Sequence, residues 1–297
     1  MSVSAVELSC ASCGAKLVVE PSRRTARCPY CDTPSVVDRP ASADRPDPVF
    51  GIGFAVDRRS AAARLRTFLH GRRWAPGALR QATSHQLEGV YVPAYLYTAT
   101  AASRYRAEIG EDYTVTEVDA RKKGVKRVRK TEYRTLEGSH LCYVDGLVVT
   151  ASGGLGNDEL EAIEPYDPAG LRRFTPALVS GWVAEEPSLA RKASLELARA
   201  EARAQVLRRL HAFMPGDSHR GLQAATDLGD EAMDLVLAPV WVCAVRWRED
   251  RPPVRLLVNG QTGRVAGAVP VSWAKVAAVV GAGLALVALA VLIGALL

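Results

Sequence analysis

The chain has 297 residues, 48% apolar and 24% charged, with a formal net charge of +6. This ordinary globular composition excludes a low-complexity or intrinsically disordered chain and allows one substantial core with satellites. The opening MSVSAVELSC has neither a basic start nor an apolar run, which excludes a secretory signal and predicts a cytoplasmic N-terminus. Thiols stay reduced there, so closely paired cysteines point to a metal rather than to disulfides.

Four of the six cysteines fall in CASCGAKLVVEPSRRTARCPYCDTP, residues 10–34. Cys10-x2-Cys13 and Cys28-x2-Cys31 present four thiolates, the donor set of a tetrahedral structural Zn²⁺ site, with iron the second choice. The fourteen-residue gap is one short of the commonest range for such pairs. Gly14 suits the positive-φ position of the first knuckle, and Asp32 takes the equivalent place in the second. The expectation is a zinc ribbon over residues 1–38, two short hairpins too small to hold a core unaided and stapled by the metal. Four protein ligands leave no open coordination position, so the metal is structural. Lys16, Arg23, Arg24 and Arg27 balance Glu7, Glu20, Asp32 and Asp38 within this segment. Without a basic excess it has little with which to displace counterions from nucleic acid. Arg23, Arg24 and Tyr30 are read instead as a protein-docking face.

RPASADRPDPV (39–49) reads as a flexible, proline-rich linker. Residues 50–270 are expected to form an α+β domain in which helices cover one face of an antiparallel sheet. DRRSAAARLRTFLHG (57–71) predicts a helix capped by Asp57 and stopped at Gly71, with Ala61, Leu65, Phe68 and Leu69 facing inward. GVYVPAYLYTATAASRYRAEIG (89–110) alternates as a strand, with Tyr91, Tyr95, Tyr97 and Tyr105 on one face. The next segment, RKKGVKRVRKTEYR (121–134), gathers Arg121, Lys122, Lys123, Lys126, Arg127, Arg129, Lys130 and Arg134 against Glu132. A solvated hairpin arm is its plain reading. Anionic lipid headgroups are the first functional partner to consider and nucleic acid the other.

GGLGND (153–158) lacks the lysine of a phosphate loop and reads as a plain loop, followed by a solvated helix and turn through NDELEAIEPYD. A helix over 188–214 is expected to turn Leu189, Ala193, Leu197, Ala200, Ala204 and Leu207 inward. LVLAPVWVCAVRW (235–247) is a second strand. Aligning its Pro239 with Pro93 suggests an internal duplication of a helix-then-strand unit. RLLVNGQTGRVAGAVP (255–270) predicts a hairpin around Asn-Gly-Gln-Thr-Gly. Cys142 and Cys243 stand alone as small hydrophobes, and the five histidines form no spaced metal pair.

VAAVVGAGLALVALAVLIGALL (276–297) carries no charge. As a helix it would reach about 33 Å, which matches a hydrocarbon core near 30 Å. The expectation is a single-pass tail anchor over 273–297, with Trp273 and Lys275 at the near edge of the bilayer and the N-terminus in the cytoplasm. Small-residue ladders through Ala277, Gly281 and Ala285 and through Ala274, Ala278 and Ala282 would suit a homodimer through that helix.

The succession CASC…CPYC, GVYVPAYLY, VDGLVVTAS, IEPYD, LVSGWVAEE, LAPVWV and VNGQTGRVAGAVP before the terminal apolar run resembles a functionally uncharacterised family of bacterial membrane-anchored zinc-ribbon proteins. Its members carry labels taken from the ribbon alone, transcription-factor-B-like or primosomal-helicase-like, and this chain has no nucleotide-binding loop to match the second. Pro187 and Ser188 stand where the family places a tyrosine after the GWVAE stretch. The resemblance implies an architecture and supplies no catalytic residue.

These readings combine into a membrane-tethered zinc-ribbon adaptor that docks a cytoplasmic protein. A tethered nucleic-acid binder using Arg23, Arg24, Arg27 and the basic arm is the second reading, and an enzyme hidden in the α+β domain is the third.

Overall fold

A computed structural model describes the chain except for residues 1–5, 11, 13, 15, 21, 29–30, 32, 38–45, 82–86, 120–123, 246–252 and 297. Two small hairpins come first, β1 (Val6–Ser9) with β2 (Lys16–Val19) and β3 (Thr25–Arg27) with β4 (Pro34–Val36). After them come β5 (Phe50–Ile52), α1 (Arg58–Gly71) and α2 (Gly77–Gln81), then two long strands, β6 (Leu87–Asp119) and β7 (Gly124–Thr150). Short elements follow: α3 (Asn157–Ala162), β8 (Leu171–Arg173), α4 (Pro176–Val179) and β9 (Val183–Ala184). The remainder is α5 (Arg191–Phe213), β10 (Ser218–Val245), β11 (Val254–Asn259), β12 (Val265–Gly267) and α6 (Trp273–Leu296).

Strand outweighs helix, 46% against 29% of the described residues, and eight strands share one sheet. This corrects the α+β expectation. The sheet is also not purely antiparallel, because β10 pairs β5 in parallel and β6 pairs β9 in parallel. The missed strand lies where β6, β7 and β10 run on through polar sequence. Backbone pairing needs no apolar face, and opposite charges across strands support it. Arg106 with Glu137, Arg134 with Glu111 and Arg220 with Glu108 are such pairs, at 3.1, 2.7 and 2.5 Å.

The chain divides into two compact units. One comprises residues 1–94, 152–188 and 236–297; the other comprises 95–151 and 189–235. In the first, α1 forms as its sequence dictates. The Asp57 carboxylate accepts from the Ser60 N–H at 2.6 Å, and Ala61, Leu65 and Leu69 are buried. They meet Trp241, Leu256 and Val258. The β11–β12 hairpin aligns Leu256 with Gly267 and Val258 with Val265. Asn259 is fully buried at its turn, with its amide donating to the Ile163 carbonyl and its oxygen accepting from the Gln261 and Thr262 N–H groups. Cys243 is buried in this core, and burial pushes its thiol up.

In the second unit α5 packs on the sheet through Ser194, Ala198, Ala202, Val206 and Leu210. This is a neighbouring face to the one expected; Leu197 and Leu207 are exposed. The i, i+4 row of serine and alanines lets the helix backbone approach the sheet closely, and Ser194 donates to the Thr150 carbonyl at 3.0 Å. Tyr95 and Tyr97 lie buried beneath it, and Cys142 packs at the margin. The Tyr97 hydroxyl donates to Glu231 at 2.7 Å, and the Arg199 fork grips both oxygens of that carboxylate at 2.9 and 2.8 Å.

Among the described residues no helix is long and apolar enough to cross a membrane. The tail anchor and the single-pass membrane localisation with a cytoplasmic N-terminus are withdrawn accordingly. Lys275, expected at a bilayer edge, donates its ammonium to the Ala75 carbonyl at 2.6 Å.

Candidate metal centre

The first knuckle turns as its sequence requires. Gly14 adopts φ +72, and its N–H donates to the Cys10 carbonyl at 2.9 Å, folding the chain back past the thiol. In the second, the Cys28 N–H donates to the Thr33 carbonyl at 3.0 Å, and Thr33 Oγ1 lies 3.2 Å from Cys31 Sγ. The sulfurs of Cys10, Cys28 and Cys31 lie within 4.8 Å of one another, with Cys10 and Cys31 at 3.6 Å. A disulfide would hold two sulfurs at about 2.0 Å. Sulfurs on a tetrahedral ion bound at ~2.3 Å sit roughly 3.8 Å apart, a spacing that the Cys10–Cys31 pair approaches. Cys10 and Cys28 are buried and Cys31 is exposed. These three cysteines could hold a metal ion. Cys13, the fourth expected ligand, lies outside the described residues, as do Tyr30 and Asp32.

The hairpin bearing Cys28 and Cys31 is fastened to β9. β9 pairs β6 on one side, Val90 opposite Val183 and Tyr91 opposite Ala184. On its other side the Arg24 N–H donates to the Ala184 carbonyl at 2.8 Å, and the Glu186 N–H donates to the Ser22 carbonyl at 2.9 Å. The Thr25 hydroxyl accepts from the Ala184 N–H at 2.9 Å and donates to the Trp182 carbonyl at 2.7 Å. Arg24 turns inward to Glu186 at 3.0 Å, with side chains only 10% and 4% exposed, and also reaches Asp47 at 3.2 Å.

The structure therefore separates the arginines that the sequence groups. Arg24 is committed to this internal contact, whereas Arg23 and Arg27 are exposed. Arg23 pairs loosely with Glu20 at 3.5 Å, and Arg27 donates to the Gly181 carbonyl at 3.4 Å. Both line a groove of about 430 Å³ together with Arg58, Glu88, Trp182 and Trp241. Arg58 is the first residue of α1; its distance in sequence from the cysteines hid it, as it hid Glu186. The floor is rigid. Phe54 stacks on Trp182 with ring centroids 4.1 Å apart, and the Trp241 indole N–H donates to the Val56 carbonyl at 2.8 Å.

The basic arm is distributed differently. Arg121, Lys122 and Lys123 lie outside the described residues, as does the side chain of Lys126. Arg127 is exposed. Arg129 pairs with Asp112, Lys130 with Glu117 at 2.7 Å, and Arg134 with Glu111. In the glycine-rich loop, the Gly153 N–H donates to Ser188 Oγ, and the Gly154 and Leu155 N–H groups donate to Ser152 Oγ. Serine oxygens fill the place a phosphate would need.

No family model matches the chain, and no solved structure matches it. It is 24% identical over 236 residues to the uncharacterized protein YdjG of Bacillus subtilis, across 76% of this chain and 65% of that protein. The chain thus spans less than two thirds of this relative's length.

Proposed function

We propose that the chain is a zinc-stapled, protein-binding scaffold whose arginine-lined groove receives an acidic segment of a partner protein. The observation that carries this reading is the fastening of the cysteine hairpin to β9, which brings Arg23 and Arg27 beside Arg58. Zinc is the ion that suits an all-thiolate donor set with two buried sulfurs, and Cys13 completes the four ligands. The metal shapes the hairpin, the hairpin holds one wall of the groove, and no reaction takes place at the metal. The guanidinium groups suit carboxylates, which they bind as planar forks. A protein partner is favoured over nucleic acid because Arg129, Lys130 and Arg134 already face carboxylates. Each such pair reduces the counterion release on which nucleic-acid affinity depends.

The test is crosslinking in cells followed by recovery of partners with and without nuclease. Partners that survive nuclease, are lost on Cys28→Ser and weaken on Arg27→Glu/Arg58→Glu support the scaffold. Recovery of nucleic acid, with binding that falls steeply as salt rises, overturns it.

A further inference from the structure

His211 and His219 are separated in sequence by a helix end, a Pro-Gly turn and the start of a strand, yet their rings meet. His211 Nδ1 lies 2.8 Å from His219 Nε2, with ring centroids 5.1 Å apart. His211 is exposed and His219 half-buried. The scaffold behind the pair is firm. Gly216 adopts φ +84 where an added Cβ would lie 3.0 Å from the Gly110 carbonyl oxygen. The Asp217 N–H donates to that same carbonyl at 3.0 Å, and the Asp217 carboxylate accepts from the Asp112 N–H at 2.8 Å. The turn is thus tied to β6 on both sides of its backbone.

We propose that this pair is a second metal site, selective for a divalent transition ion that accepts two imidazoles at a right angle, nickel(II) or copper(II). One proton now occupies the space between the two nitrogens. Nitrogens bound at about 2.0–2.1 Å sit roughly 2.9 Å apart when cis on a square or octahedral ion, and roughly 3.3 Å apart on a tetrahedral one. The observed spacing needs little change for the first geometry and a wider opening for the second. His211 stands in the last turn of the 23-residue α5, where the negative end of the helix dipole favours a cation. Two neighbouring cations are occupied: Arg209 donates to the Tyr143 carbonyl, and Arg220 pairs with Glu108 over the Tyr133 ring. The metal takes the place of the shared proton, which passes through solvent to the other nitrogen of its own ring, so both imidazoles bind neutral and water fills the remaining coordination positions.

The experiment uses the full, zinc-loaded chain without a polyhistidine tag, titrated with nickel chloride near neutral pH and followed by calorimetry and absorption. The expected result is about one nickel bound per chain without thiolate-to-nickel charge-transfer absorption. His211→Ala and His219→Ala should each weaken binding at least about tenfold, or ~1.4 kcal/mol. Paramagnetic broadening confined to these two imidazole rings would support the same site independently. Undiminished binding in both histidine variants, or binding that appears only with thiolate absorption, overturns the proposal.

Discussion

Two regions of this molecule are built from the same cation–carboxylate chemistry and use it in opposite ways. At the hairpin–β9 junction a single pair, Arg24 with Glu186, is taken almost wholly out of water. Along β6 and β7 a series of pairs, Arg106–Glu137, Lys130–Glu117 and Arg134–Glu111, lies in solvent with side chains half or more exposed at most positions. A buried pair is costly to desolvate and costly to break, so it binds two segments to each other conditionally on both partners. An exposed pair is screened and replaceable, so it tunes register and solubility without holding anything together. The first fixes an architecture; the second decorates one.

The comparison breaks most sharply at the metal. Cys28→Ser should lower bound zinc, measured by elemental analysis, from about one ion per chain, because structural zinc binding of apparently 10–16 kcal/mol is also folding free energy. Limited proteolysis should then cut before residue 50 first, whereas equal zinc content in the variant would refute the assignment. Glu186→Ala leaves the buried Arg24 charge with only the exposed Asp47 carboxylate and should cost up to about 3–5 kcal/mol in denaturant unfolding. The double change Arg24→Met/Glu186→Leu should recover most of that loss. A drop as large as that of the single variant would mean that the contact depends on charge itself.

A smaller effect distinguishes the half-buried case. The Arg199 fork holds the Glu231 carboxyl down at about 2, below its ordinary 4.5. Its contribution is therefore complete above the ordinary value and is lost as pH falls from about 4.5 toward 2. Stability measured between pH 5 and 3 should fall less steeply in Glu231→Gln than in the native chain, and parallel curves would discount the pair. Arg134→Ala should change stability by only ~0–1 kcal/mol, and added salt should erase the difference. A larger, salt-independent loss would show that the β6–β7 pairs are structural after all.

What the sequence made legible is local. Helix α1 is announced by Asp57 and its 61, 65, 69 stripe, the β11–β12 hairpin by its Asn-Gly turn, and the thiol cluster by paired spacing, because each depends on residues near one another in the chain. Arg24 and Glu186 are 162 positions apart, so an arginine that looks like part of a docking face is spent inside. Helix α5 misleads for another reason. Its leucines mark the stronger apolar stripe, yet the sheet accepts the row of Ser194, Ala198 and Ala202, where small size matters more than hydrophobicity. The polar extensions of the long strands, beyond residue 110 in β6 and before 235 in β10, escaped notice because polar residues on both faces leave no alternation to read. The His211–His219 contact left one trace, a histidine on each side of a Pro-Gly turn.

β9 is only two residues long, and its outer side is covered by Ser22, Arg24 and Thr25. A strand edge left bare offers its N–H and C=O groups to any other extended chain, which is how sheets recruit one another into aggregates. The cysteine hairpin is therefore also a lid on a sticky seam. On the proposed metal-stapled reading, removing the metal would lay that seam bare, and aggregation on chelation is the expected outcome.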